Sequence, residues 1–184
     1  MSVEINNESG YEIDEAGLQR LAAFAMGAMH VHPDTDVAIL LVDEATIEQL
    51  HVQWMDEPGP TDVLSFPMDE LRPGSADQPT PAGLLGDIVL CPQVAETQAV
   101  AAHHSTMDEL VLLTTHGLLH LLGFDHAEPD EEREMFALQK ELEALSFKDG
   151  LTNIANRRRF DASLELEWDS AIRLRQPLSI LLFD

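Results

Sequence analysis

Residues 110–122, Leu-Val-Leu-Leu-Thr-Thr-His-Gly-Leu-Leu-His-Leu-Leu, leave this chain little freedom. At 3.6 residues per turn the stretch is apolar nearly all round, and a helix of that kind is stable in water only when other elements enclose it. The chain has the material to do so. It is 184 residues long and 45% apolar with only 5% aromatics, so the enclosing core is aliphatic and of ordinary domain size. No segment reaches the roughly 20 apolar residues of a membrane helix, because His and Asp interrupt the richest ones.

Hydrophobic period and punctuation supply the other elements. A short strand at Val3–Ile5 precedes Asp14, an N-cap for an amphipathic helix to about Met29. Thr35–Val42 reads as a buried strand, and Asp43 caps a helix to about Met55. A turn at Pro58-Gly59-Pro60 leads to a strand at Asp62–Phe66, and residues 69–82, with prolines at 73, 79 and 81, read as a loop. Leu84–Leu90 is another strand, and Pro92 opens a helix at the position where its missing N–H costs nothing. Ser105 starts the apolar helix, Gly123 ends it, and Pro129 opens a last helix with an acidic first turn. Interleaved strands and helices predict an α/β (α+β) fold: a small mixed sheet of three to four strands packed with helices, its chemistry at the end of the buried helix.

That chemistry comes from three histidines. His116 and His120 are four apart, so on a helix their rings stand one above the other. Gly123 lets the chain double back and bring His126 to the same place. Three neutral imidazoles on one zinc ion leave a fourth position to water, the catalytic pattern, and zinc lowers that water's pKa to about 7. The alternative is a pair of core histidines, each needing a hydrogen-bond partner, since an unpartnered buried polar group costs roughly 1–3 kcal/mol. One metal ion partners both. The spacing therefore predicts one zinc per chain on His116, His120 and His126, with no catalytic side chain identified. His30, His32, His51, His103 and His104 lack such spacing and read as surface residues. Gly117 stands where helical metallopeptidases carry a Glu general base, which disfavours peptide hydrolysis.

Charge bounds the partners. Ten Lys and Arg against 34 Asp and Glu give −24, which disfavours non-specific attachment to nucleic acid or anionic membrane. The imbalance lies before residue 147: 4 basic and 28 acidic residues up to Ser146, then 6 of each. The acidic N-terminus lacks the pattern of a signal peptide, and the single cysteine, Cys91, cannot form an intrachain disulfide. Both features predict a cytoplasmic protein.

His116-Gly-Leu-Leu-His-Leu-Leu-Gly-Phe-Asp-His126 resembles the signature of the YbeY family, bacterial metal-dependent endoribonucleases of ribosomal RNA maturation. Pro60-Thr-Asp-Val-Leu-Ser-Phe-Pro67 and Leu85-Gly-Asp-Ile-Val-Leu-Cys-Pro92 agree with it in the same order, and the Gln-Trp-Met-Asp-Glu-Pro-Gly-Pro and Asp-Glu-Leu-Arg-Pro segments look like its actinobacterial branch. The resemblance implies zinc on the three histidines. It also implies single-strand-specific cleavage in maturation of the 16S rRNA 3′ end, a role in ribosome quality control, and rRNA and the ribosome as partners, with no membrane and no DNA. Many members carry Tyr-Arg and then Lys before the Pro-Thr-Asp block, where this chain has Trp54-Met55 and Glu57. The family arginine that faces the RNA phosphate is therefore missing. Arg20 and Arg72 are the other basic residues before Arg133. Asp125 either orients a histidine or serves as a turn residue.

Residues 147–184 differ. Phe147-Lys-Asp-Gly-Leu-Thr-Asn-Ile-Ala-Asn-Arg-Arg-Arg-Phe160 resembles the opening of a GGDEF diguanylate cyclase domain, and Pro177-Leu-Ser-Ile-Leu-Leu-Phe-Asp184 its first strand. The loop that names that family is absent, which excludes cyclase activity. The expected organisation is a nuclease domain over 1–146 and an incomplete GGDEF-like fragment over 147–184. Three functions are weighed: a zinc-dependent endoribonuclease, another zinc metallohydrolase (a peptidase or amidase), and a non-catalytic zinc-stabilised ribosome-binding module. The histidine pattern and the three matched segments favour the first.

Overall fold

Asp14, Asp43 and Ser105 each turn a side-chain oxygen onto a backbone N–H three residues ahead, and three helices begin there. In this computed structural model the described residues are 1–146, the side chains of 143–146 excepted, and positions 164, 168, 172 and 173, which are helical. The chain divides into two compact units, Met1–Glu143 and Ala144–Asp184. The first contains β1 (Ser2–Asn7), α1 (Glu15–Ala28), β2 (Asp36–Leu41), α2 (Glu44–Met55), β3 (Val63–Pro67), β4 (Leu84–Leu90), α3 (Pro92–Ala102), α4 (Thr106–Leu121) and the greater part of α5 (Pro129–Ser146).

The sheet has the order β1-β2-β4-β3. β1, β2 and β4 run parallel, and β3 pairs antiparallel with β4. It is thus a mixed four-stranded sheet with helices on it, the class that the sequence predicts. Alternation assigns the faces. Val3, Val37, Ile39 and Ile88 are buried in the main core with residues of α1 and α4. Leu64 and Val89 form a smaller cluster with Ile47 of α2.

α4 is the element that the rest encloses: ten of its sixteen residues are buried. Gly117 lets it approach the sheet. A Cβ there would lie 2.9 Å from Ile88 Cγ2 and 3.1 Å from Ser65 Oγ. At its C-terminus Gly123 has φ +80°, the left-handed conformation that glycine adopts without cost. The Leu122 N–H donates to Leu118 O, the Gly123 N–H to His120 O and the Phe124 N–H to Leu119 O, so the last carbonyls of the helix are used.

The loop between β3 and β4 is held along its length. Leu71 is buried in the main core, and the Gly74 and Thr80 N–H groups donate to Met29 O and His30 O. The cyclase-like reading of residues 147–184 lies outside the described residues.

Candidate metal centre

α4 presents His116 and His120 on one face, and the turn at Gly123 carries His126 back to them. The three ring centroids are 4.6, 5.1 and 5.4 Å apart. One nitrogen from each ring lies within 4.8 Å of the other two, so the three can hold one metal ion. His116 and His120 are half-buried and His126 is exposed.

The hydrogen bonds of the rings fix where their lone pairs go. His116 Nδ1–H donates to Gln139 Oε1 at 3.1 Å, and His120 Nδ1–H donates to the Phe124 carbonyl at 3.0 Å. Both partners only accept, so in each neutral ring the proton sits on Nδ1 and Nε2 is a bare acceptor. The two Nε2 atoms face each other at 3.0 Å. Two acceptors at that separation repel unless a cation lies between them. Burial pushes the pKa of both imidazoles below the ordinary histidine value, and the neighbouring rings push that of His120 further in the same direction. Both are therefore neutral at pH 7, the form that binds a metal. Bonds of about 2.0–2.1 Å in a tetrahedron place ligand nitrogens roughly 3.3 Å apart, close to the spacing here. The donor set fits a divalent metal ion.

α5 supplies what the sequence reading missed. Gln139 is buried and orients His116, and the Phe136 ring stacks on His126 at 6.2 Å. The signal was present: Met135, Leu138 and Leu142 form an apolar stripe, and Gln139 is a polar residue within it. Asp125 accepts from the His126 backbone N–H at 2.7 Å, the role of a turn residue. Of the five histidines expected at the surface, His30 and His103 are exposed, whereas His32, His51 and His104 are half-buried. His51 bonds the Gly59 carbonyl and His104 pairs with Glu109, satisfying polar groups that the fold partly covers.

The histidines open onto a cleft of about 620 Å3, also lined by Met55, Asp62, Glu70, Arg72 and Asp125. Gly117 is not among the lining residues; it packs against Ile88 and Ser65 of the sheet. A carboxylate at that position would point into the sheet. Arg20 pairs instead with Asp14, at the start of α1.

Known proteins similar to this chain point to one family. The sequence profile of the family described as Endoribonuclease YbeY matches residues 4–145. A curated relative of that name from Clavibacter sepedonicus is 73% identical over 142 residues, which are 77% of this chain and 93% of the relative. Another, from Beutenbergia cavernae, is 63% identical over 142 residues, covering 77% and 95%. The solution structure of TM1509 from Thermotoga maritima is 28% identical, with a TM-score of 0.54 over 79% of this chain and 89% of that one. With most of its length inside the family profile, and with relatives matched over nearly their whole length, the chain belongs to the Endoribonuclease YbeY family.

Proposed function

We propose that this protein is a single-strand-specific, metal-dependent endoribonuclease that matures the 3′ end of 16S rRNA and takes part in ribosome quality control, with one zinc ion per chain on His116, His120 and His126. The observation that carries the reading is the pair of Nε2 acceptors 3.0 Å apart at the mouth of a cleft, with their Nδ1 protons engaged elsewhere. Family membership supplies the reaction. When bound, the ion supplies Lewis acidity toward a phosphoryl oxygen and lowers the pKa of water.

The chain's own residues do the rest. Gln139 and the Phe124 carbonyl hold the two helical imidazoles in the ligand tautomer. Phe136 stacks on His126 beside the site. Hydrolysis of a peptide by the zinc-helix route lacks its general base, because Gly117 stands where that route has a Glu. The rRNA substrate puts the protein with the ribosome, in the cytoplasm. No helix among the described residues is long and apolar enough to cross a membrane. The catalytic domain in this reading is 1–146, supported by the family match ending at 145 and by the unit boundary at Glu143. Residues 147–184 lie outside that domain in this reading, and their GGDEF likeness rests on motif residues alone.

The test is cleavage of a single-stranded 16S 3′ precursor RNA by zinc-loaded full chain beside His120→Ala. Cleavage that depends on His120 is expected. Zinc binding without cleavage would favour the ribosome-binding module instead.

A further inference from the structure

Arg72 is one of only four basic residues before position 147, against 28 acidic ones, and it lies in the metal cleft. Its backbone is fixed from both sides. Glu70 takes a left-handed turn at φ +47°, Leu71 plugs into the core and Gly74 is hydrogen-bonded to Met29. Residues 70 and 72 therefore flank a buried leucine and both line the cleft. The guanidinium lies on Gly123, where any side-chain Cβ would collide with it. Its donors are not spent there: among the described residues the guanidinium makes no hydrogen bond.

Nor is the charge neutralised. Among the described residues the ion pairs are Arg20–Asp14, His51–Glu57, His104–Glu109 and Arg133–Asp130, and none includes Arg72. Of the other carboxylates that line the cleft, Asp62 is occupied by the Val63 N–H, the Thr61 hydroxyl and the Gln98 amide, Asp125 accepts from the His126 N–H, and Glu70 forms no ion pair with Arg72. An anchored guanidinium with free donors, beside a metal centre in a chain of net charge −24, has the properties of a phosphate contact. We infer that Arg72 binds a phosphate of the single-stranded RNA lying across the three histidines, from a loop other than the segment that contains Met55. The inference rests on the endoribonuclease reading above. Met55, exposed on the wall of the same cleft, marks a second place from which a cation reaches that phosphate.

The experiment uses zinc-loaded full chain and a single-stranded RNA oligonucleotide. Arg72→Gln is expected to lower kcat/KM about 10- to 100-fold, the usual range for a charged hydrogen bond. In a His120→Ala background it should flatten the slope of log K against log salt by about 0.7, one single-strand phosphate contact. Arg72→Lys should retain part of the activity, and Met55→Arg added to Arg72→Gln should restore part of it. Zinc content and melting temperature should stay at parental values. Parental kcat/KM with an unchanged salt slope overturns the inference. So does a loss of activity that tracks a loss of zinc or of melting temperature, since that is a structural role. Failure of the parent to cleave any better than His120→Ala would instead sink the endoribonuclease reading, and the salt slope would still decide whether Arg72 touches phosphate.

Discussion

Gln139 stands 23 positions after His116, and its carbonyl oxygen selects which nitrogen of that ring is free. Replacing it by leucine keeps the apolar stripe of α5 but removes the acceptor. Zinc affinity is expected to fall about 10- to 100-fold, the usual effect of losing a residue that orients a ligand. Gln139→Glu keeps an acceptor and should bind zinc at least as tightly as the parent; a chelator competition titration reads both. Parental affinity in the leucine variant would show that His116 needs no orientation. The same two imidazoles set a pH dependence. Their folded pKa lies below the ordinary 6.5, so the unfolded chain takes up protons first as pH falls. The stability they contribute is thus complete above about pH 6.5 and lost progressively as pH descends toward the folded value. Melting of metal-free protein between pH 8 and 5 should show this loss, and His120→Gln should reduce its slope. An identical slope in that variant would remove His120 from the account.

At the scale of the element, α4 serves two surfaces at once. It carries the histidines toward the cleft, and at Gly117 it lies so close to β3 and β4 that a Cβ would come within 2.9 Å of Ile88. Gly117→Ala sets two effects against each other. Alanine improves the helix by about 0.5–1 kcal/mol. Overpacking against Ile88 costs about 1–3 kcal/mol. The packing term is larger, so urea denaturation is expected to show net destabilisation with an unchanged m-value. A more stable variant would mean that the sheet yields without cost. The boundaries of α4 were legible because local chemistry made them: Ser105 at one end, Gly123 at the other. The contribution of α5 to the site was not, because its polar stripe residue acquires meaning only when His116 is beside it.

The whole molecule joins a family domain to a segment of different composition, acidic up to Ser146 and balanced after it. A chain ending at Ser146 keeps α5, and with it Gln139 and Phe136. It is expected to match the full chain in zinc content and RNA cleavage, with equal or better solubility. A large fall in melting temperature would show that the second segment completes the core of the first. What the sequence determined by itself is what short-range physics controls: the caps at Asp14, Asp43 and Ser105, the apolar helix that has to be enclosed, and the four-residue spacing that stacks His116 on His120. Tertiary structure alone decided which distant groups meet them. Gln139 reaches a ring from another helix, Gly117 is trapped by Ile88 on a strand, and Arg72 arrives from a loop to rest on Gly123. Each of these contacts joins residues more than twenty positions apart, and no local periodicity encodes a pairing set by how the sheet and helices pack.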